Sequence, residues 1–267
     1  MFAPTLAVST IGELHAALDS CAAAGAAAKV YPAVLIPLAL IELWRREGAR
    51  AAAKGGALAV TVLAAVCVPF AIASPHGMSW ALQRQISRPL QVESLAAALF
   101  AAAHQIAGVH LHVVKSAGSD NLVGSGPHLA STLSGIGTFL AVLAVYAWYV
   151  RSSATREDIV VACAAAVTAY IAFSKVFSPQ YLVWLIPLVP LLGGRRGLRA
   201  SALLVVVVGM TQIWEPYRYG HYYRTFTPWL TWLVVVRDLL VVVLLAVLLR
   251  RSGRHADEVD PVRPAVV

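Results

Sequence analysis

Four short clusters of arginine and lysine punctuate this sequence, each set beside long apolar runs: Arg45/Arg46/Arg50/Lys54, Arg151/Arg156, Arg195/Arg196/Arg199 and Arg250/Arg251/Arg254. Cytoplasmic loops of membrane proteins are enriched in such charges, so the pattern constrains both class and orientation. It predicts an all-α, polytopic transmembrane helix bundle. Composition agrees, because only 13% of the 267 residues are charged and 59% are hydrophobic. Soluble domains carry about 25% charged residues, so this chain is too poor in charge to cover a water-facing surface. The net charge of +8 sits in caps between apolar runs, which suits anionic lipid and excludes a nucleic-acid groove. Cys21, Cys67 and Cys163 lie within apolar stretches without paired or metal-type spacing, and no disulfide is expected.

Runs of about 20 apolar residues set the expected spans, six or seven in all. The first ends at Trp44, and the others cover about 56–73, 129–150, 159–173, 181–192, 198–213 and 229–249. The fifth is short and rich in proline. Threaded alternately, these spans put 13 Lys and Arg inside against six outside, which favours a cytoplasmic C-terminus. Residues 1–250 then form one transmembrane helical domain with a large extracytoplasmic loop over about 74–128. Residues 251–267 read as a disordered cytoplasmic tail. Met1 falls outside under this threading, and no basic leader precedes the first apolar run. The expectation is that upstream spans are missing from this chain. Near the start, Thr10 and Glu13 have capping-box spacing for a helix through Ala28.

The outer face carries the residues with chemistry. The long loop holds Trp80, Arg84 and the string Arg88-Pro-Leu-Gln91-Val-Glu93-Ser94, then an alanine-rich helix to about Ala107. That helix is expected in the outer interface, with Trp80 as an anchor. A second outer feature, Phe173 to Trp184, sets Lys175, Ser178, Gln180 and Tyr181 at the mouth of the proline-bearing span. Lys29 and Lys175 satisfy themselves by snorkelling, or else converge with Arg88 on an anionic headgroup, for which phosphate suits both ammonium and guanidinium. Gln91, Gln180 and Tyr181, with Tyr31 and Ser178, then face the sugar or lipid. Glu93 is the one visible candidate for a base, with a role at the helix N-terminus beside Ser94 as the alternative. Arg237-Asp238 reads as an ion pair in the bundle interior. Trp214, Trp229 and Trp232 read as belt residues. His110-x-His112 is a weak metal signal.

Three strings carry a resemblance: Lys29-Val-Tyr31-Pro32 before an apolar run, Arg88-Pro-Leu-Gln91-Val-Glu93-Ser94, and Phe177-Ser178-Pro179-Gln180-Tyr181-Leu-Val-Trp184. Together they resemble actinobacterial membrane glycosyltransferases of the GT-C type, similar to glycosyltransferase family 87 and to polyprenol-phosphate-mannose-dependent mannosyltransferases. The resemblance covers most of residues 16–250. It implies a GT-C-like fold in the plasma membrane and transfer of a sugar, such as mannose, from a polyprenyl-phosphate donor. The acceptor it implies is a lipid or glycan on the extracytoplasmic face. No cofactor is certain, and a divalent metal stays open. Such enzymes usually carry a catalytic acid in the first outer loop, after the first span. This chain has no counterpart, so the true base is expected upstream of Met1 and the chain reads as a C-terminal portion. Two other classes stay open, a lipid or solute transporter or flippase, and an inactive accessory fragment. A transporter needs a polar path to the inner side, whereas the inner halves here (34–43, 205–208, 241–249) are almost wholly apolar.

Overall fold

The computed structural model describes residues 31–250. Lys29, Cys21, the expected helix over 10–28 and the tail from 251 lie outside the described residues. A 3-10 turn over Tyr31–Leu35 opens into helix α1 (Ile36–Glu47). Gly48 ends it at φ +89, a conformation that glycine adopts without the Cβ penalty, and the chain turns into α2 (Ala49–Ala73). Helix α3 (Pro75–Ile86) follows, with Pro75 in its first turn and the Ser74 hydroxyl accepting from Gly77 N. Next come strand β1 (Leu90–Gln91) and α4 (Leu95–Ala107), then a hairpin of β2 (His112–Ser116) and β3 (Ser119–Val123). The remainder is helical: α5 (Ser125–Val150), α6 (Arg156–Phe173), two 3-10 segments (Pro179–Leu185 and Val189–Leu191), α7 (Gly194–Trp214), α8 (Tyr219–Thr225) and α9 (Pro228–Leu249).

Four of these helices, α2, α5, α7 and α9, are long and apolar enough to cross a membrane. The other expected spans take different forms. In the first, the described helix has 12 residues, about 18 Å of rise, which is short of a hydrocarbon core of about 30 Å. The fifth is broken into 3-10 segments, because Pro187 and Pro190 remove backbone donors from any continuous ladder. The fourth, α6, is the hub of the bundle. Its start is fixed by a reciprocal cap between Thr155 and Asp158, at 3.1 Å each way. Val161, Ala162, Ala164 to Val167, Ala169 and Ile171 are wholly buried, and the run of alanines lets neighbouring helices approach closely.

One end of the bundle is arginine-rich by contact. Arg45 donates to the carbonyls of Tyr149 and Ser152, both at 2.8 Å, and Arg196 stands 3.6 Å from Glu157. Three of the four basic clusters therefore meet at the same end. At the other end, where the sequence predicts a loop, lies a small antiparallel sheet in the order β1-β3-β2. Its two-residue turn, Ala117 and Gly118, has φ of +52 and +79, the pairing that matches the twist of a tight hairpin.

Two cores result. The first joins α1, α5, α6, α7, the 3-10 segments and the second half of α9. The second joins the sheet, α4, α8, Trp214 and the first half of α9. Helix α4 buries Ala97, Ala98, Ala101 and Ala102 in that second core and leaves Leu99 and Ile106 exposed on its other side. Trp214 is wholly buried there too, which corrects its reading as a belt residue, whereas Trp229 and Trp232 remain exposed.

Candidate functional site

The segment from α3 to β1 lies where the sheet meets α5, and Arg88 holds it there. Its Nη2 donates to the Ala117 carbonyl at 3.2 Å and to the Ser119 hydroxyl at 3.3 Å, while its own carbonyl accepts from Ser131 Oγ at 3.3 Å. The Nε of Arg88 is buried without a partner among the described residues. Lys175 reaches the same segment from the loop after α6. Its ammonium donates to the Ile86 carbonyl at 2.6 Å, and its carbonyl accepts from Gln91 N at 3.0 Å. Burial first, and then the Arg88 charge, lower the Lys175 pKa below the usual lysine range. The two cations thus share one site at an electrostatic cost.

That site is a cavity of about 690 Å³, lined by Arg88 and Lys175 together with Ile86, Leu90, Leu122, Val123 and Pro127. One wall is the stretch of α5 from Ser131 to Ile136, on a helix whose face is largely exposed. Among the described residues no carboxylate lines the cavity. Two cations over apolar walls suit an anion that carries an apolar chain, because each part of such a ligand finds its complement.

Behind the cavity wall sits a buried polar layer. Gln91 turns inward and its amide donates to the Glu93 carboxyl, so it does not face the cavity. Ser94 caps α4 by accepting from Ala97 N at 3.4 Å. Arg237 donates through Nη2 to the Glu93 carbonyl at 2.8 Å and through Nε to Asp238 Oδ1 at 2.9 Å. Its guanidinium stands 4.3 Å from the centre of the Phe177 ring and 5.4 Å from that of Trp214. The expected ion pair is present, with a reach to Glu93 that the sequence did not announce. Burial pushes Glu93 up to about 8, against the pull of Arg237, and the nearby Glu215 and Asp238 carboxylates push it the same way. Burial also raises Glu215, which Arg237 opposes.

Tyr181 stacks on Trp184 with ring centres 4.1 Å apart, and its phenol lies within electrostatic reach of Arg88 and Glu93. Ser178 is half-buried and Gln180 exposed, and neither lines the cavity. Tyr31 begins the first 3-10 turn. The structure thus brings Arg88 and Lys175 together and sets Gln91, Glu93 and Tyr181 close by. Among the described residues no three His, Cys, Asp or Glu are grouped to hold a metal ion. No protein-family model, curated protein or solved structure matches this chain.

Proposed function

We propose that this protein is a multi-pass membrane glycosyltransferase whose described part binds a polyprenyl-phosphate sugar donor at the Arg88–Lys175 cavity. The arginine-rich end faces the cytoplasm, as the enrichment of cytoplasmic loops in basic residues favours, and the sheet end faces outward. The observation that carries this reading is the pairing of two cations with apolar walls and, among the described residues, no carboxylate, beside a helix long enough to cross a membrane.

In such a transfer the acceptor hydroxyl oxygen attacks the anomeric carbon. The bond from that carbon to the phosphate oxygen breaks, and the electron pair leaves with the polyprenyl phosphate. The acceptor's proton passes to a base. Arg88 and Lys175 stabilise the charge that develops on the departing phosphate. Glu93 stands behind the cavity wall, outside its lining, and burial raises its pKa toward the protonated form. The hexose is taken as mannose on the resemblance of the Ser178-Pro179-Gln180-Tyr181 string and its companions.

The test is transfer of labelled mannose from polyprenyl-phosphate mannose in membranes that carry the full chain. Lys175→Ala and Tyr181→Ala should abolish transfer while leaving membrane insertion intact. Transfer at the wild-type rate in both variants would sink the donor-site assignment.

A further inference from the structure

A second cavity, of about 620 Å³, lies between the hairpin and α8. Lys115 on β2 and Asp120 on β3 are paired in register, so both side chains leave the same face of the sheet and both line the space. His104, Tyr223, Arg224 and Phe226 also line it. The wall is held firmly. Gln105 of α4 donates to the Phe226 carbonyl, which also accepts from Thr231 Oγ1 at 3.1 Å. The His104 ring packs against that of Phe226 with centres 5.8 Å apart. Asp120 is buried, and the Tyr219 phenol lies within electrostatic reach of its carboxylate.

Neither cation is neutralised by an ion pair: among the described residues neither Lys115 nor Arg224 has one within 4.0 Å, and Arg224 stands 5.7 Å from the centre of the Tyr223 ring. The chemistry differs from that of the first cavity. Here cations, a buried carboxylate and an aromatic face are combined, in a space that opens beside the hairpin and α8. A bare inorganic anion has no use for the Tyr223 face, and a neutral sugar has no use for two unpaired cations. A sugar that bears a negative group uses both, with Asp120 accepting from a ring hydroxyl.

We infer that this second cavity binds an anionic sugar, through Lys115 and Arg224 on the charged group and Tyr223 against the ring. Its role as the acceptor site rests on the transfer proposed above, whereas the binding stands on this cavity alone. The ligand is either a free anionic saccharide or the headgroup of a glycolipid.

The experiment uses the full chain in phosphatidylcholine nanodiscs, with saturation-transfer NMR of glucose 6-phosphate, glucose and inorganic phosphate. Glucose 6-phosphate is expected to bind saturably and to be displaced by neither of the others at equal concentration. The Lys115→Gln/Arg224→Gln pair should weaken it by about tenfold or more, since each lost charge-assisted contact is worth about 1.5–3 kcal/mol. Lys115→Arg and Arg224→Lys should retain binding, which separates loss of charge from loss of fold. Arg84→Gln, at an exposed cation that lines neither cavity, should leave it unchanged. Absence of binding, equal binding of glucose or of phosphate, or loss with Arg84→Gln but not with the Lys115/Arg224 pair would each overturn the inference. Failure here would leave donor binding at the first cavity untouched, because binding of farnesyl phosphate reads that site separately. Competition by a soluble glycolipid with the same phosphorylated headgroup, stronger or weaker than the free sugar, distinguishes the two sources.

Discussion

Arg237, in the last long helix, donates to the main-chain carbonyl of Glu93 at 2.8 Å, across 144 positions of sequence. The bond ties the loop behind the Arg88–Lys175 cavity to α9 at the junction of the two cores. It also makes the buried charge structural, because the guanidinium is shared among Asp238, a carbonyl and two aromatic faces.

Arg237→Met should therefore destabilise the protein by about 3–5 kcal/mol, since it leaves the Asp238 carboxylate buried and unpaired. The double variant Arg237→Met/Asp238→Asn should recover a large part of that loss. Thermal unfolding in detergent, run as a double-mutant cycle, measures both. A double variant whose loss equals the sum of the losses in Arg237→Met and Asp238→Asn taken singly would mean that the pair is not coupled.

The raised pKa of Glu93 fixes the sign of a pH effect. Its carboxyl moves from an ordinary 4.5 up to about 8, so the folded state favours the protonated form. That preference stabilises the fold fully below about pH 4.5 and is lost as pH rises through about 8. Glu93→Gln, which keeps the shape and carries no charge, should lose less thermal stability than wild type between pH 5 and 8. Parallel stability–pH curves for the two proteins would contradict this.

The hairpin tip should matter to the cavity although it is remote from the bundle centre. Gly118 sits at φ +79 and the neighbouring Ala117 carbonyl receives the Arg88 guanidinium. Gly118→Val forces a β-branched residue into the left-handed region, at a cost of about 1–2 kcal/mol. Binding of an anionic lipid should fall with it. Thr155→Ala, which removes the cap of α6 at the opposite end, should cost about 1 kcal/mol and leave lipid binding unchanged. The two variants compared by unfolding and by lipid binding separate an effect on the site from one on stability.

How much of this was legible depended on the kind of signal. The four long spans declared themselves because a lipid-crossing helix needs an unbroken apolar run. The proline-bearing stretch after Lys175 was equally apolar, and only the missing donors at Pro187 and Pro190 separate it from a helix. The sheet was hidden because its turn is Ala-Gly rather than the Asn-Gly or Asp-Gly that usually marks a tight hairpin. Arg88 and Lys175 stood out as cations amid apolar sequence, and the fold brings them together. The Arg237–Glu93 bond left no mark, since a carbonyl acceptor is the same in every residue. Trp214 misled for a related reason, because an aromatic at the end of an apolar run looks alike whether it meets lipid or a buried guanidinium.

The measurement that bears most directly on the donor cavity is binding of farnesyl phosphate against farnesol, to the full chain in phosphatidylcholine nanodiscs. Farnesyl phosphate is expected to bind at least about tenfold tighter, as one charge-assisted contact is worth about 1.5–3 kcal/mol. Arg88→Gln/Lys175→Gln should erase that difference while leaving farnesol binding in place. Equal affinity for the two lipids in the wild-type protein, or a difference that survives the double substitution, would contradict an anion site at Arg88 and Lys175.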